Sequence, residues 1–272
     1  MAQLAEIARD HELIVTHGNG PQVGLLALES VNDVSLPKPY PLDVIGAQTQ
    51  GMIGYWLLQG FTNVVAGRPV VALVTQTVVK SDDPAFGKPT KFVGAGYPEP
   101  EARQLATENS WTFARDGVLW RRTVASPEPQ LVVEMSTIAS LVSAGATVIC
   151  AGGGGVPVVR DEAGQLQGVE AVIDKDLTSG LIARELRADV LLLLTDVEGI
   201  FADFSTPSQR LMRDPTVAQL RAMSFSAGSM GPKIEAACRF VTSTGMRAAI
   251  GSLDDARGLL QGSSGSSVSR RA

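Results

Sequence analysis

Cysteine is almost missing from this chain of 272 residues, which carries only Cys150 and Cys238. Two thiols build neither a disulfide framework nor a cysteine zinc site, and they fit a reduced, cytoplasmic setting. Histidine is as scarce, with His11 and His17 alone, so a histidine metal site has no support. Neither a Ser/His/Asp nor a Cys/His arrangement is evident, which disfavours covalent catalysis. Long apolar runs are also lacking. The longest, "VLLLLTDVEGIF" from Val190, is broken by Asp196 and Glu198 and is too short to cross a bilayer, and the N-terminus shows no signal-peptide core. Positive charge is in deficit, at a net charge of -5, which removes the basic stripe that nucleic-acid backbones require. Any phosphate this chain binds should be small and locally held.

What is present is an ordinary globular composition, 44% hydrophobic and 19% charged, long enough for one large α/β domain. Residues 3–9 place Leu4, Ile7 and Ala8 on one helical face, and "ELIVTH" follows as a strand. Strands are then expected at 69–76, 146–153, 189–196 and 247–253, and helices at 136–145, 177–188, 215–223 and 232–245. Continuous apolar strands alternating with helices predict a parallel sheet covered on both faces. Between 80 and 130 proline and glycine become frequent, and "TFARDGVLW" carries the Asp-Gly hairpin signal, so a small protruding lobe is expected there. A second hairpin is expected over 157–173, turning at Glu162-Ala163-Gly164. Residues 1–262 read as one domain and the glycine–serine end, 263–272, as a flexible tail.

In open α/β sheets ligands sit beyond the carboxyl ends of strands, and three loops there are conspicuous. Gly18, Asn19 and Gly20 allow close approach to a ligand, and Pro21 suits the first position of a helix whose amides attract an anion. A plain strand-to-helix turn would use the same residues. "AGGGGVP" sets Gly152, Gly153 and Gly154 directly after an apolar strand, where a polyanion could approach the backbone; a linker remains the plain alternative. Neither loop is a Walker A or G-x-G-x-x-G pattern. "SAGSMGPKIEAA" runs into a helix and places Lys233 in its first turn, against the helix dipole unless an anion shares that end.

Lysine is the rarer cation, six residues against seventeen arginines, and three of the six, Lys91, Lys175 and Lys233, stand in Gly/Pro/Asp-rich stretches. An ammonium is a compact charge able to follow a moving phosphoryl group. Asp174 could cap a helix, or it or Asp176 could organise the lysines or hold metal-bound phosphate. Such parts suit phosphoryl transfer, where alignment and charge neutralisation are the protein's main work.

Taken together, "HGNGPQVG", "QTQGMIGYWL", "DPAFGKPTKFVG", "WRRTVASPEP", "GGGGVPVV", "GVEAVIDKDLTSGLIA", "LLLTDVEGIF" and "GSMGPKIEAA" resemble the carbamate kinases of the amino acid kinase superfamily, from about residue 11 to about residue 253. The resemblance implies an open αβα sandwich with a mainly parallel central sheet and a protruding lobe, a homodimer, and Mg²⁺-dependent exchange of ATP and carbamate with ADP and carbamoyl phosphate. It also implies an ATP-forming role at the end of the arginine deiminase route. Lys91, Lys175 and Lys233 would surround the transferred phosphoryl and Asp176 would orient them. Gly18, Asn19, Gly20, Gly152, Gly153, Gly154 and Asp174 would bind carbamate and phosphate. Thr195 and Asp196 with Met230 and Gly231 would form the nucleotide wall. Carbamate is already an anionic nucleophile, so no general base is needed.

The family opens with a strand and a "GGNA" loop ahead of the helix on which this chain starts. Their lack implies a sheet missing a middle strand, with apolar edges exposed and phosphate-binding amides lost, from a mis-set start or an impaired product. "KFVGAGY" stands where the family carries a proline-bearing "KP" sequence, and "GSSGSSV" where it ends in "GT". Two alternatives follow: another small-anion kinase of the superfamily, or a remnant that only binds nucleotide or dimerises.

Overall fold

The computed structural model describes residues 2–225 and 230–270. The amphipathic opening forms α1 (Ala2–Asp10), followed by β1 (Ile14–Val15), α2 (Gly20–Asn32), α3 (Leu42–Val64), β2 (Val70–Ala72) and β3 (Gln76–Val78). Next come β4 (Lys91–Tyr97), α4 (Glu99–Asn109), β5 (Thr112–Asp116), β6 (Leu119–Val124), β7 (Leu131–Val132), α5 (Met135–Ser143) and β8 (Thr147–Ile149). The second half contains β9 (Val156–Arg160), β10 (Leu166–Gly168), α6 (Lys175–Glu185), β11 (Val190–Thr195), β12 (Phe201–Ala202) and β13 (Arg210–Leu211). It ends with α7 (Val217–Arg221), α8 (Met230–Thr244), β14 (Arg247–Ser252), α9 (Ala256–Gln261) and β15 (Ser266–Val268).

The fold is α/β with parallel strands at its centre, as the apolar runs predict. β8 lies between β1 and β2, parallel to both, and β11 runs parallel to β14 over six residues. β3 and β9 form a fourth parallel pair, flanked by antiparallel β7 and β10. The expected run 69–76 breaks after Ala72, so β2 and β3 serve different sheets. Turns at 161–164 and 117–118 close the two hairpins β9–β10 and β5–β6.

Helices cover these strands because their apolar faces have nowhere else to go. Leu191, Leu193, Ile250, Phe240 and Val241 form one buried cluster beneath α8, and Ile138, Val148, Cys150 and Ile182 another between α5, β8 and α6. Each fully buried large side chain removes apolar surface from water at a gain of roughly 1.5–3 kcal/mol. α1 adds Ala5 and Ala8 to Phe61, Val65 and Ile149.

β1 and β11 each form an outer edge of their three-stranded sheets. Ile14, Val15, Leu192 and Leu194 on those edges are half-buried.

Residues 91–124 carry their own antiparallel sheet, ordered β4–β6–β5, with α4 inserted. β4 rests on α2 through two glycines: a Cβ on Gly24 would overlap Gly94 Cα. This contact sets where Lys91, at the start of β4, projects.

The flexible tail expected at 263–272 requires correction within the described residues. Ser266, Ser267 and Val268 pair antiparallel with Ile250, Ala249 and Ala248. Ser266 and Val268 are fully buried, and Ser266 Oγ accepts from Ile200 N at 2.8 Å. Glycine–serine composition reads as a linker, but small side chains with hydroxyls are also what a strand needs when it must slip between packed elements and satisfy their amides.

Candidate active site

The strand-end loops and the scarce lysines meet at the N-terminus of α6. Ile173 is buried, and Asp174 caps the helix: its Oδ1 accepts from the amides of Asp176 at 2.9 Å and Leu177 at 3.3 Å. The same carboxylate accepts from Lys91 Nζ through Oδ2, at 2.9 Å. The two readings of Asp174, helix cap and lysine organiser, therefore both describe it.

Asp176, in the first turn of the helix, is shared by two ammonium groups. Lys175 Nζ donates to Oδ1 at 2.7 Å and Lys233 Nζ to Oδ2 at 2.8 Å. The Asp176 side chain is only 6% exposed, a position a carboxylate tolerates when it is paired. This pair also explains how Lys233 sits in the first turn of α8: the countercharge there comes from α6, which packs against α8. Lys91, Lys175 and Lys233, far apart in sequence, thus converge on two aspartates two residues apart.

The first glycine loop adjoins this cluster. A Cβ on Gly18 would lie 3.4 Å from Lys175 Cε, and Gly20 starts α2, whose N-cap Asn19 makes no side-chain cap. Asn19 is buried, and its Nδ2 donates to Thr49 Oγ1 at 2.8 Å, so its amide nitrogen is committed to α3. Gly152, Gly153 and Gly154 form a buried 3-10 turn, with Ala151, Gly153, Gly154 and Gly155 all at positive φ. A Cβ on Gly153 would overlap the Asn19 side chain, and Gly153 N donates to His17 O at 2.8 Å. Gly154 O accepts from Thr77 Oγ1 at 2.8 Å and from Thr178 Oγ1 at 3.0 Å, which binds this turn to α6.

Several positioning residues have no signal in the loops themselves. Gln50 on α3 accepts through Oε1 from Thr75 N and Thr75 Oγ1, and donates from Nε2 to Thr75 O. Thr75 Oγ1 in turn accepts from Ala151 N at 2.8 Å, holding that residue left-handed at the head of the glycine turn. The available clue was a pair of glutamines in the apolar helix "IGAQTQGMIGYWL". His17 likewise packs its ring where a Gly152 Cβ would stand, and its Nδ1–H donates to Gly18 O at 3.1 Å.

Burial disfavours the Asp174 carboxylate, yet the Lys91 ammonium, its hydrogen bond and the amides of Asp176 and Leu177 outweigh this and hold its pKa below the usual range. Burial lowers the His17 pKa, with Lys175 adding to it against the Gly18 hydrogen bond, so the imidazole is neutral at pH 7. Burial raises both thiols, Cys150 to about 12, leaving neither as a nucleophile at neutral pH.

Thr195 ends β11, and its hydroxyl donates to Asp196 Oδ1 at 3.0 Å. Met230 and Gly231 begin α8, which packs on β11, and no hydrogen bond joins the two pairs among the described residues. Residues 226–229 of the third loop lie outside the described residues. Among those described, no group of three or more His, Cys, Asp or Glu is placed to hold a metal. No described helix is long and apolar enough to cross a membrane.

The arrangement can do one thing well: present up to three ammonium groups and a set of backbone amides to a small, heavily charged anion. The amino acid kinase family matches residues 1–252. A carbamate kinase of Rhizobium meliloti is 48% identical over 98% of this chain and 83% of its own length. One from Haemophilus influenzae is 45% identical over 99% of this chain and 87% of its own. The solved structure of carbamate kinase from Giardia lamblia bound to AMP-PNP is 37% identical, with a TM-score of 0.86 over 98% of this chain and 88% of that one.

Proposed function

The chain belongs to the amino acid kinase family and, within it, to the carbamate kinases, and from that premise we propose that the cluster of Lys91, Asp174, Lys175, Asp176 and Lys233 grips the phosphoryl group as it passes between nucleotide and carbamate. The enzyme is a phosphotransferase with a carboxyl-group acceptor. The observation that carries the reading is Asp176, which holds Lys175 at 2.7 Å and Lys233 at 2.8 Å beside the Gly18 loop.

The mechanism follows from charge. Carbamate attacks as an anion, so proton abstraction is not required, and the barrier lies in aligning two anions and neutralising the oxygens of the migrating group. Ammonium groups pre-aimed by Asp174 and Asp176 need no reorganisation when charge builds there. The amides at the start of α2 add fixed dipoles, whereas those of Ala151, Gly153 and Gly154 are bonded to Thr75 Oγ1, His17 O and Ala151 O, so that turn would shape the site rather than donate to the ligand. Thr195, Asp196, Met230 and Gly231 would line the nucleotide side, and the Giardia relative does bind a nucleotide analogue, AMP-PNP. The donors present suit a Mg²⁺ that arrives on nucleotide phosphates rather than one caged by the protein, with Asp174 and Asp176 as the carboxylates nearest to share it. The ion would neutralise phosphate charge.

In the cell the reaction would run toward ATP, consuming carbamoyl phosphate at the end of arginine breakdown, in the cytoplasm and as a homodimer. Residues 1–262 would act as one catalytic domain, with the lobe between 80 and 130 supplying Lys91. A linked assay of ATP formed from ADP and carbamoyl phosphate tests the reading. Lys175→Ala and Lys233→Ala should each lower kcat about 100-fold or more, the scale seen when one transition-state donor is removed, and chelation should abolish turnover until Mg²⁺ is restored. Wild-type turnover within tenfold of either variant would overturn it. Equal turnover with glutamate or UMP as acceptor would favour a different small-anion kinase.

A further inference from the structure

A cavity of about 530 Å³ shares no residue with the lysine cluster. It opens between the α2–α3 connection, the start of α3, the α4–β5 turn and β6, and its volume falls within the range of small-molecule sites. The Arg122 guanidinium stands in its wall, 3.9 Å from the centroid of the Trp111 ring. The ring holds the guanidinium over its face, yet none of the described residues hydrogen-bonds or ion-pairs with it. Half-buried guanidinium groups ordinarily find a partner. Burial even weakens the hold on its proton, lowering the pKa to about 10 despite nearby Glu170.

The charges around this fork are balanced. Lys38 joins Arg122, while Glu108 and Glu170 supply two carboxylates, so the rim offers no net attraction to a polyanion such as a nucleotide. Glu170 Oε1 accepts from Leu42 N at 3.0 Å, which leaves its second oxygen free of any such bond. Ala27, Val31 and Tyr40 form an apolar wall beside these groups.

We propose that this cavity binds a free α-amino acid, its carboxylate on the Arg122 fork, its ammonium toward Glu170 and Glu108, and its side chain against the apolar wall. A planar guanidinium suits a carboxylate by paired hydrogen bonds, and an ammonium suits the remaining carboxylate oxygens. A zwitterion alone uses both signs of charge and leaves the rim neutral.

Isothermal titration calorimetry on the full chain tests this, with L-leucine, L-methionine, L-phenylalanine and L-arginine as probes. At least one should bind saturably. 4-Methylpentanoate and 3-methylbutylamine, the two halves of leucine's charge, and inorganic phosphate should each bind tenfold more weakly than that amino acid or not at all. Arg122→Gln should weaken the amino acid at least tenfold. Glu170→Gln, at an exposed position and still able to accept from Leu42 N, should weaken it at least fivefold and leave 4-methylpentanoate unchanged, and it decides the matter should Arg122→Gln fail to fold. No saturable binding by any of the four, equal binding of 4-methylpentanoate or phosphate, or no effect of Glu170→Gln would overturn the proposal. Lys233→Ala should leave this binding intact, which separates the result from the fate of the phosphoryl-transfer reading.

Discussion

At the scale of single residues, the site is governed by two aspartates that differ in what they restrain. Asp174 spends one oxygen on the α6 amides and the other on Lys91, whereas Asp176 spends both on lysines. Their titration makes the difference measurable. The native Asp174 pKa lies below the usual carboxylate value, so an unfolded chain, at about 3.9, takes up a proton that the native one refuses. The stability it contributes is complete above about pH 4 and is lost as pH falls through the native value. His17 acts in the same direction nearer neutrality. Its native pKa is also depressed, so acidification below about pH 6.5 favours the unfolded chain. Urea midpoints measured from pH 7 to pH 3 should therefore fall in two stages, with His17→Gln removing the upper one and Asp174→Asn the lower. A single stage common to all three proteins would contradict this account.

At the scale of elements, the Gly24–Gly94 crossing sets the relation between α2 and β4, and through β4 the place of Lys91. Gly24→Ala puts a methyl where Gly94 backbone stands. Overpacking of this kind costs about 1–3 kcal/mol, and the variant should show a lower denaturation midpoint together with a raised KM, because the lysine end of β4 must shift. An unchanged KM would show that β4 moves without carrying the site. The helices and parallel strands were legible as periodicity: apolar runs at 189–196 and 247–253 appear as β11 and β14, and the three scarce lysines that stand in Gly/Pro/Asp-rich stretches meet at Asp174 and Asp176. Other features were not. β2 and β3 read as one run because an apolar stretch carries no mark of the sheet it will join. Gln50 and Thr75 hold the glycine turn through contacts 25 residues apart, which no local pattern encodes. The last strand was misread because burial of serine depends on partners elsewhere in the chain.

At the scale of the whole molecule, β15 closes the sheet of β11 and β14 while Ser266 holds the Ile200 amide and Ser267 N donates to Arg213 O. Val268 is fully buried among Leu220, Ile250 and their neighbours. Val268→Asp should thus destabilise the enzyme by several kcal/mol, the cost of an unpaired charge in an apolar cluster, whereas Val118→Asp, on an 88% exposed hairpin tip, should leave the melting temperature unchanged. Equal melting of the two variants would show that residues 266–268 contribute little. The doubly held Asp176 has a wider consequence. Each ammonium spends one of its three N–H donors on that carboxylate, so the clasp would keep its shape whether the cleft is loaded or empty.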